Sequence, residues 1–393
     1  MPATAMPATV MPATVMPATL LHVFPSFAIG GQQTRFATIA NRLGGGLRHR
    51  IVSLDGRDAA LALLDPALDA LLLPTPPQGL GRGLGRLRRI ARCLDASEAA
   101  ILLTYNWGAI EWAIVNRVRH RRPHFHFEDG FGPDEADHQK RRRVLVRALA
   151  LRGSQVVVPA RTLAQIATSR WHLDPRRVHH IPNGIDAARF DAAPSDGAGF
   201  FERRADECVI GSFSPLRPEK NIGRLLSAFA EISASGVPAR LVICGDGPER
   251  ARLTALAVGL GVADRVVFTG HVPGPEAVMR AFDMLAMTSD TEQMPYAVLE
   301  AMAARLPVIA TDVGDIAAMV APENRPFIVP RDAAAGLEAA LRRLCREPEL
   351  RRHLGQRNRE RVESEYTVAR MADAFRQLLD AAIAAARPRL PGE

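Results

Sequence analysis

At 393 residues, 47% hydrophobic and 23% charged, the chain has the composition of a soluble globular protein and is too long for one ordinary core. Its net charge of +8 is uneven: residues 1–195 carry 25 Lys+Arg against 15 Asp+Glu and the remainder 25 against 27, so an anionic partner is expected on the first half. Cys93, Cys208, Cys244 and Cys345 stand singly, which argues against a disulfide framework or a cysteine metal site and for a reducing cytoplasm.

The first segment, "MPATAMPATVMPATVMPATL", repeats a five-residue unit four times. A proline in every unit forbids a helix, so residues 1–17 are expected to be a disordered tail. Met16 could be the translation start, the tail then carrying no function. No charge precedes Arg35, so the basic start of a secretory signal is missing. Uncharged apolar runs all fall short of the roughly 18 residues of a membrane span.

Short β-branched runs then alternate with helical patterns, the signature of parallel α/β sheets. Expected strands in the first half are "LLHVF" (20–24), "RIVSL" (50–54), "ILLTY" (101–105), "HFHF" (124–127) and "QVVVP" (155–159). In the second half they are "CVIGSF" (208–213), "RLVICG" (240–245), "RVVF" (265–268), "MLAM" (284–287), "PVIA" (307–310) and "FIV" (327–329). Helices fall between them, as from Gln32 to Leu43 and from Ile222 to Ile232. The Gly-, Pro- and Asp-rich stretch 190–204 marks the break. The reading is α/β: two doubly wound, Rossmann-like domains (18–195 and 196–365) facing across a cleft, with a C-terminal helix and tail (366–393) crossing back to the first. Ligands of such sheets bind at the carboxyl ends of the strands.

Basic residues of the first half cluster in "GRGLGRLRRIAR" (81–92) and "HQKRRRVLVRALALR" (138–152). The second has the make-up of a helix resting on an anionic membrane surface, or of a solvated helix with one buried face. No aromatic residues interleave with these arginines, which argues against nucleic acid.

Gly30 and Gly31, in "FPSFAIGGQQTR" (24–35), free backbone N–H groups at a strand-to-helix turn to face an anion. In "GSFSPLRPEKN" (211–221) a strand leads to Arg217 and Lys220, a guanidinium fork and a point charge suited to a diphosphate. "SDTEQMPYAVLEAMAARLPVIATD" (289–312) holds Glu292 on a loop and Glu300 at a helix start. Such carboxylates can accept hydrogen bonds from vicinal hydroxyls, each worth roughly 1.5–3 kcal/mol. No D-x-D occurs, so no metal site and no cofactor is expected.

The segment "EQMPYAVLEAMAARLPVIATDVG" resembles the Glu-x7-Glu signature of retaining glycosyltransferases of the GT-B fold, glycosyltransferase family 4. "IPNGID" (181–186), "RPEKN", "LVICGDGPE", "VVFTGHV" and the Gly30–Gly31 turn extend the resemblance in order along the chain. It implies a nucleoside-diphosphate sugar as co-substrate. Glu300 would hold its ribose, Glu292 would face the transferred sugar, and Gln293, Met294, Pro295 and Tyr296 would touch sugar and phosphate through their backbone. Arg217 and Lys220 would hold the diphosphate, Gly30 and Gly31 would close on it, and Gly270, His271 and Val272 would read the base. The family places a His near the reacting sugar; here that position falls to His126 or to Asp129. The nearby acidic residues Glu128, Asp129, Asp134 and Glu135 could take the acceptor's proton or balance the arginines that follow.

The expected activity is metal-independent, retaining transfer of a sugar to a lipid-linked or polysaccharide acceptor, by a cytoplasmic protein peripheral on the inner membrane face. A nucleotide-sugar epimerase or phosphorylase of this fold is the alternative, and a catalytically silent binding partner a further one. Intact Glu292, Glu300, Arg217 and Lys220 weigh against the last.

Overall fold

A computed structural model of the chain describes residues 17–74, 83–131, 135, 139–191, 199–204 and 206–386. The expected tail up to residue 16, Asp134, residues 192–198 of the expected domain break and residues 387–393 of the expected C-terminal tail lie outside the described residues.

The first sheet comprises β1 (Ala18–Phe24), β2 (Leu47–Ser53), β3 (Asp69–Leu72), β4 (Ile101–Tyr105), β5 (His124–Phe127), β6 (Gln155–Val158) and β7 (Val178–His180). Its spatial order is β3-β2-β1-β4-β5-β6-β7. The second comprises β8 (Cys208–Phe213), β9 (Ala239–Cys244), β10 (Val266–Gly270), β11 (Met284–Met287), β12 (Val308–Thr311) and β13 (Ile328–Val329), in the order β10-β9-β8-β11-β12-β13. Every strand pairing in both sheets is parallel. The central strands are mostly apolar because helices cover both faces; β4, β9 and β11 are buried along their whole length. Each order reverses once, between β1 and β4 and between β8 and β11, which puts a ligand crevice at the carboxyl ends there.

The helix Val368–Ala386 returns to the first domain. Phe375 lies 5.9 Å from Phe125 and 5.5 Å from Phe127, ring to ring, and Arg376 donates to the Leu43 carbonyl at 3.0 Å. Side chains also tie the domains directly. Asp315, from the loop after β12, accepts the N–H groups of Arg161 (2.5 Å) and Thr162 (3.0 Å). It thereby caps the first-domain helix Arg161–Ser169, whose own Ala160 supplies no side-chain cap, and satisfies donors a helix start otherwise leaves open. Among the described residues no helix is long and apolar enough to cross a membrane.

Candidate active site

Donor-side side chains reach the cleft from loops that close packing holds in place. After β8 the chain makes a short turn, Pro218–Lys220, with Arg217 at its start. The Leu216 N–H donates to the Asp246 carbonyl (2.9 Å) and the Glu249 N–H to the Leu216 carbonyl (3.1 Å), so this loop lies flat on "GDGPER". The approach is so close that a Cβ on Gly245 (φ 145°) would run into the Ser214 carbonyl, which explains glycine there. On its other side Asn221 Nδ2 donates to Asp290 (3.1 Å), Arg224 pairs with Asp290 (2.8 Å), and the Asp290 N–H donates to the Glu219 carbonyl (2.8 Å). Held from both sides, Lys220 Nζ meets Glu292 Oε1 at 2.6 Å, and Ser289 Oγ donates to the same oxygen at 2.7 Å. Arg217 is exposed and makes no ion pair among the described residues.

The backbone of Glu292 and Gln293 rests on the loop after β12. The Asp315 N–H donates to the Gln293 carbonyl at 2.9 Å. At Gly314 (φ 59°) a Cβ would run into the Glu292 carbonyl, so both conformation and space demand glycine. Pro295 caps the helix Tyr296–Ala303, which makes Glu300 its fifth residue and places it in the second turn rather than at the start. Glu300 is half-buried and has no hydrogen-bond or ion-pair partner among the described residues. Burial raises its pKa to about 7; Arg189 opposes the rise and Glu276 adds to it. A half-buried carboxylate without partners loses part of its hydration at a cost, and that cost falls where neutral hydroxyls donate to it.

Across the cleft, Gly30 starts the helix Gly31–Leu43 with no side-chain cap and no acidic residue in the first turn. Its first N–H groups and the positive helix end are thus available to an anion. A Cβ on Gly31 would sit 3.5 Å from the Tyr296 ring, so this turn faces the second domain's Glu292–Glu300 segment directly. The Tyr296 hydroxyl is buried without a partner, and burial lifts its pKa above the ordinary range. Gly130 is as close, its Cβ position lying 3.1 Å from Gln293 Cγ. Asn183, of the "IPNGID" motif, donates from Nδ2 to the Met294 carbonyl at 2.9 Å. Of the remaining expected donor residues, Gly270 (φ 75°) turns the chain after β10, His271 is exposed, and the Val272 side chain is buried in the core.

The structure separates the two candidates for the first-domain position. His126 lies within β5, wholly buried, and shares Thr104 with His124: Thr104 Oγ1 is 2.8 Å from His126 Nδ1 and 2.8 Å from His124 Nε2. Its Nε2 points to Glu128, 3.7 Å away, inside the protein. Asp129, two residues past the strand end, stands at the cleft. Its carboxylate takes Arg35 at 2.9 Å and Gln32 at 3.0 Å, both from the Gly-Gly helix, and its N–H donates to Asn106 Oδ1 at 2.8 Å. Its neighbours Glu128 and Glu135 are buried against Arg147 (3.2 Å each). There they balance the charge of Arg147. Arg147, itself buried, lies 5.0 Å from the Trp107 and Trp171 ring centres, a cation–π setting. The helix Arg141–Ala150 is thus a packed element with one outward face, on which Leu145 and Leu149 are each 59% exposed.

Neither Asn183 nor Asp315 carries a signal in the sequence that assigns it a role. Asn183 lies within "IPNGID", whose pattern does not mark it as a partner of Met294, and nothing local marks Asp315 as a cap for a helix some 150 residues earlier. Among the described residues no group of three or more His, Cys, Asp or Glu is arranged to hold a metal ion.

Two parallel doubly wound sheets facing across a cleft, with a returning C-terminal helix, define the GT-B class. The fold aligns with a sucrose-phosphate synthase from Thermosynechococcus elongatus at a TM-score of 0.79 and 20% identity, over 94% of this chain and 100% of that one. It aligns equally well with Anabaena HepE in complex with UDP-glucose, at a TM-score of 0.79 and 20% identity over 92% of this chain and 99% of that one. Residues 29–189 match Glycosyltransferase Family 4 and residues 200–361 match Glycosyl transferases group 1. The chain belongs to this glycosyltransferase family. A relative, the 2-deoxystreptamine glucosyltransferase of Streptomyces kanamyceticus, is 31% identical over 179 residues, 44% of this chain and 46% of its own. The match thus spans about half the length of that relative.

Proposed function

We propose that the protein transfers a sugar, with retention and without a metal ion, from a nucleoside-diphosphate sugar to an acceptor. The donor would lie on the domain of residues 196–365 and the acceptor on that of residues 18–195. The carrying observation is Glu300: a half-buried carboxylate without partners among the described residues, its pKa raised to about 7, on the helix that also brings Tyr296 against Gly31. Vicinal ribose hydroxyls are donors of the kind it lacks. Arg217, Lys220 and the N–H groups after Gly30 would stabilise the charge of the departing diphosphate by preorganised electrostatics. With its carboxylate at the cleft, Asp129 is better placed than His126 to face the sugar. A lipid-linked or polysaccharide acceptor and a cytoplasmic, membrane-peripheral setting fit the outward face of the helix Arg141–Ala150. There exposed Leu145 and Leu149 accompany exposed Arg141 and Arg142, a pairing suited to an anionic bilayer.

A thermal-shift screen of UDP, GDP, ADP and their common sugars, in buffer containing EDTA, tests this. One nucleotide series is expected to raise the melting temperature, since a ligand that binds the native state stabilises it. A screen in which only added Mg²⁺ restores any shift would contradict the metal-independent reading.

A further inference from the structure

On the edge of the first sheet opposite the cleft, the amino ends of β4, β5 and β6 open into a second cavity of about 690 Å³. Its lining includes Arg117, Arg121, Arg122 and Arg152, with His124 and Ser154, and no Asp or Glu. None of the four guanidiniums pairs with a carboxylate among the described residues. Neighbouring Asp95 is engaged elsewhere, by Arg119 at 3.1 Å and His120 at 3.5 Å. Arg122 donates to the Ser97 hydroxyl at 2.9 Å and Arg117 to the Arg152 carbonyl. These acceptors are neutral and leave the positive charge uncompensated.

The display of these arginines is fixed from below. Asn116, 3% exposed, donates to the Arg122 carbonyl (3.0 Å) and accepts the Arg122 N–H (3.3 Å), and the Arg121 N–H closes on the Asn116 carbonyl at 2.6 Å. Arg121 is thereby held at φ 53°, a left-handed conformation costly to any residue with a Cβ. Ser154, 6% exposed, is fixed by a 2.7 Å hydrogen bond to His124 Nδ1. Four cations lining one cavity repel one another, and an anion held among them relieves that repulsion. Guanidinium forks match the oxygens of phosphate in pairs.

We propose that this cavity is a second anion site, distinct from the cleft, that takes a phosphate-bearing ligand. Two sources carry that chemistry, a free phosphate or diphosphate and the headgroup of an anionic lipid. The exposed apolar residues Val118 and Leu149 lie close in sequence to Arg117 and Arg152, as contact with a bilayer would require.

The test uses the full chain carrying Lys220→Ala, which weakens a diphosphate site in the cleft, with and without Arg121→Glu and Arg152→Glu. Both arginines are exposed, and thermal melting checks that the fold survives. Inorganic pyrophosphate is titrated by calorimetry, and vesicles of phosphatidylcholine with or without phosphatidylglycerol are tested by co-flotation. Pyrophosphate binding that falls about tenfold or more on charge reversal supports a soluble ligand. Flotation that needs phosphatidylglycerol and is lost on charge reversal supports the headgroup. Neither binding, or equal binding by the charge-reversed protein, overturns the proposal. Nucleotide affinity of a chain carrying the two reversals alone reports on the cleft separately.

Discussion

Lys220 and Glu292, 72 positions apart in the chain, share a 2.6 Å hydrogen bond between Nζ and Oε1. Both are largely buried, at 17% and 10% side-chain exposure, and the pair joins the loop after β8 to the loop after β11. The cation that neutralises Glu292 is thus also the one a diphosphate would meet.

Lys220→Ala should slow transfer by about 10²–10³-fold, the loss typical of removing one preorganised donor to developing negative charge. Steady-state turnover with the nucleotide sugar found in the screen measures it. Unchanged turnover would mean that the leaving group is held elsewhere.

Donor affinity should depend on pH through Glu300. Its pKa near 7 leaves part of the population protonated at neutral pH, and hydroxyl donors favour the ionised form. Affinity for the nucleotide sugar should therefore rise about tenfold between about pH 6 and about pH 8. Glu300→Gln should flatten that profile, and a profile that the substitution leaves unchanged would assign the titration to another group.

Stability should fall on acidification before most carboxylates titrate. Burial lowers the His49 pKa to about 4 and that of His124 to about 3, and holds His22, bonded to His49 at 3.0 Å, well below its ordinary value. Unfolded, each would take up a proton near pH 6.5. Their contribution is thus complete above about 6.5 and lost as pH falls from there toward 4. For His49 alone the loss is on the order of 3 kcal/mol. Urea denaturation across that window measures it, and a flat curve from neutral pH to about 4.5 would contradict the buried, neutral assignment.

Arg147→Met should destabilise the protein by about 3 kcal/mol, because it strands the buried carboxylate of Glu128 and leaves Glu135 with Arg143 as its only cation among the described residues. Adding Glu128→Gln should recover most of that loss. Thermal and urea melts of the two variants compare directly; no recovery would show that Arg147 acts through packing on Trp107 and Trp171 rather than through charge.

The central strands were legible because burial on both faces writes itself as short runs of apolar, β-branched or aromatic residues: 101–105, 124–127, 208–213 and 284–287 match β4, β5, β8 and β11. The two strands at the edges of the first sheet were not. β3 alternates exposed and half-buried residues inside a longer apolar run, and β7 is only three residues, "VHH". Lys220, Glu292 and Glu300 were legible as chemistry, yet their mutual geometry was not. The bond between Lys220 and Glu292 depends on Asn221, Arg224 and Asp290 clamping two loops together, a relation no local pattern encodes. Alternation along β5 placed His124 and His126 on one face correctly, but not that this face is interior, with Asp129 at the cleft.

Calorimetric titration of the full chain and of Glu300→Ala with UDP-, GDP- and ADP-sugars tests the account most directly. One sugar nucleotide should bind the unaltered protein, and Glu300→Ala should bind it about tenfold or more weakly, for the loss of charge-assisted hydrogen bonds worth roughly 1.5–3 kcal/mol. Equal affinity in the two proteins, or no binding by either, would contradict a cleft built to hold the ribose of a sugar nucleotide.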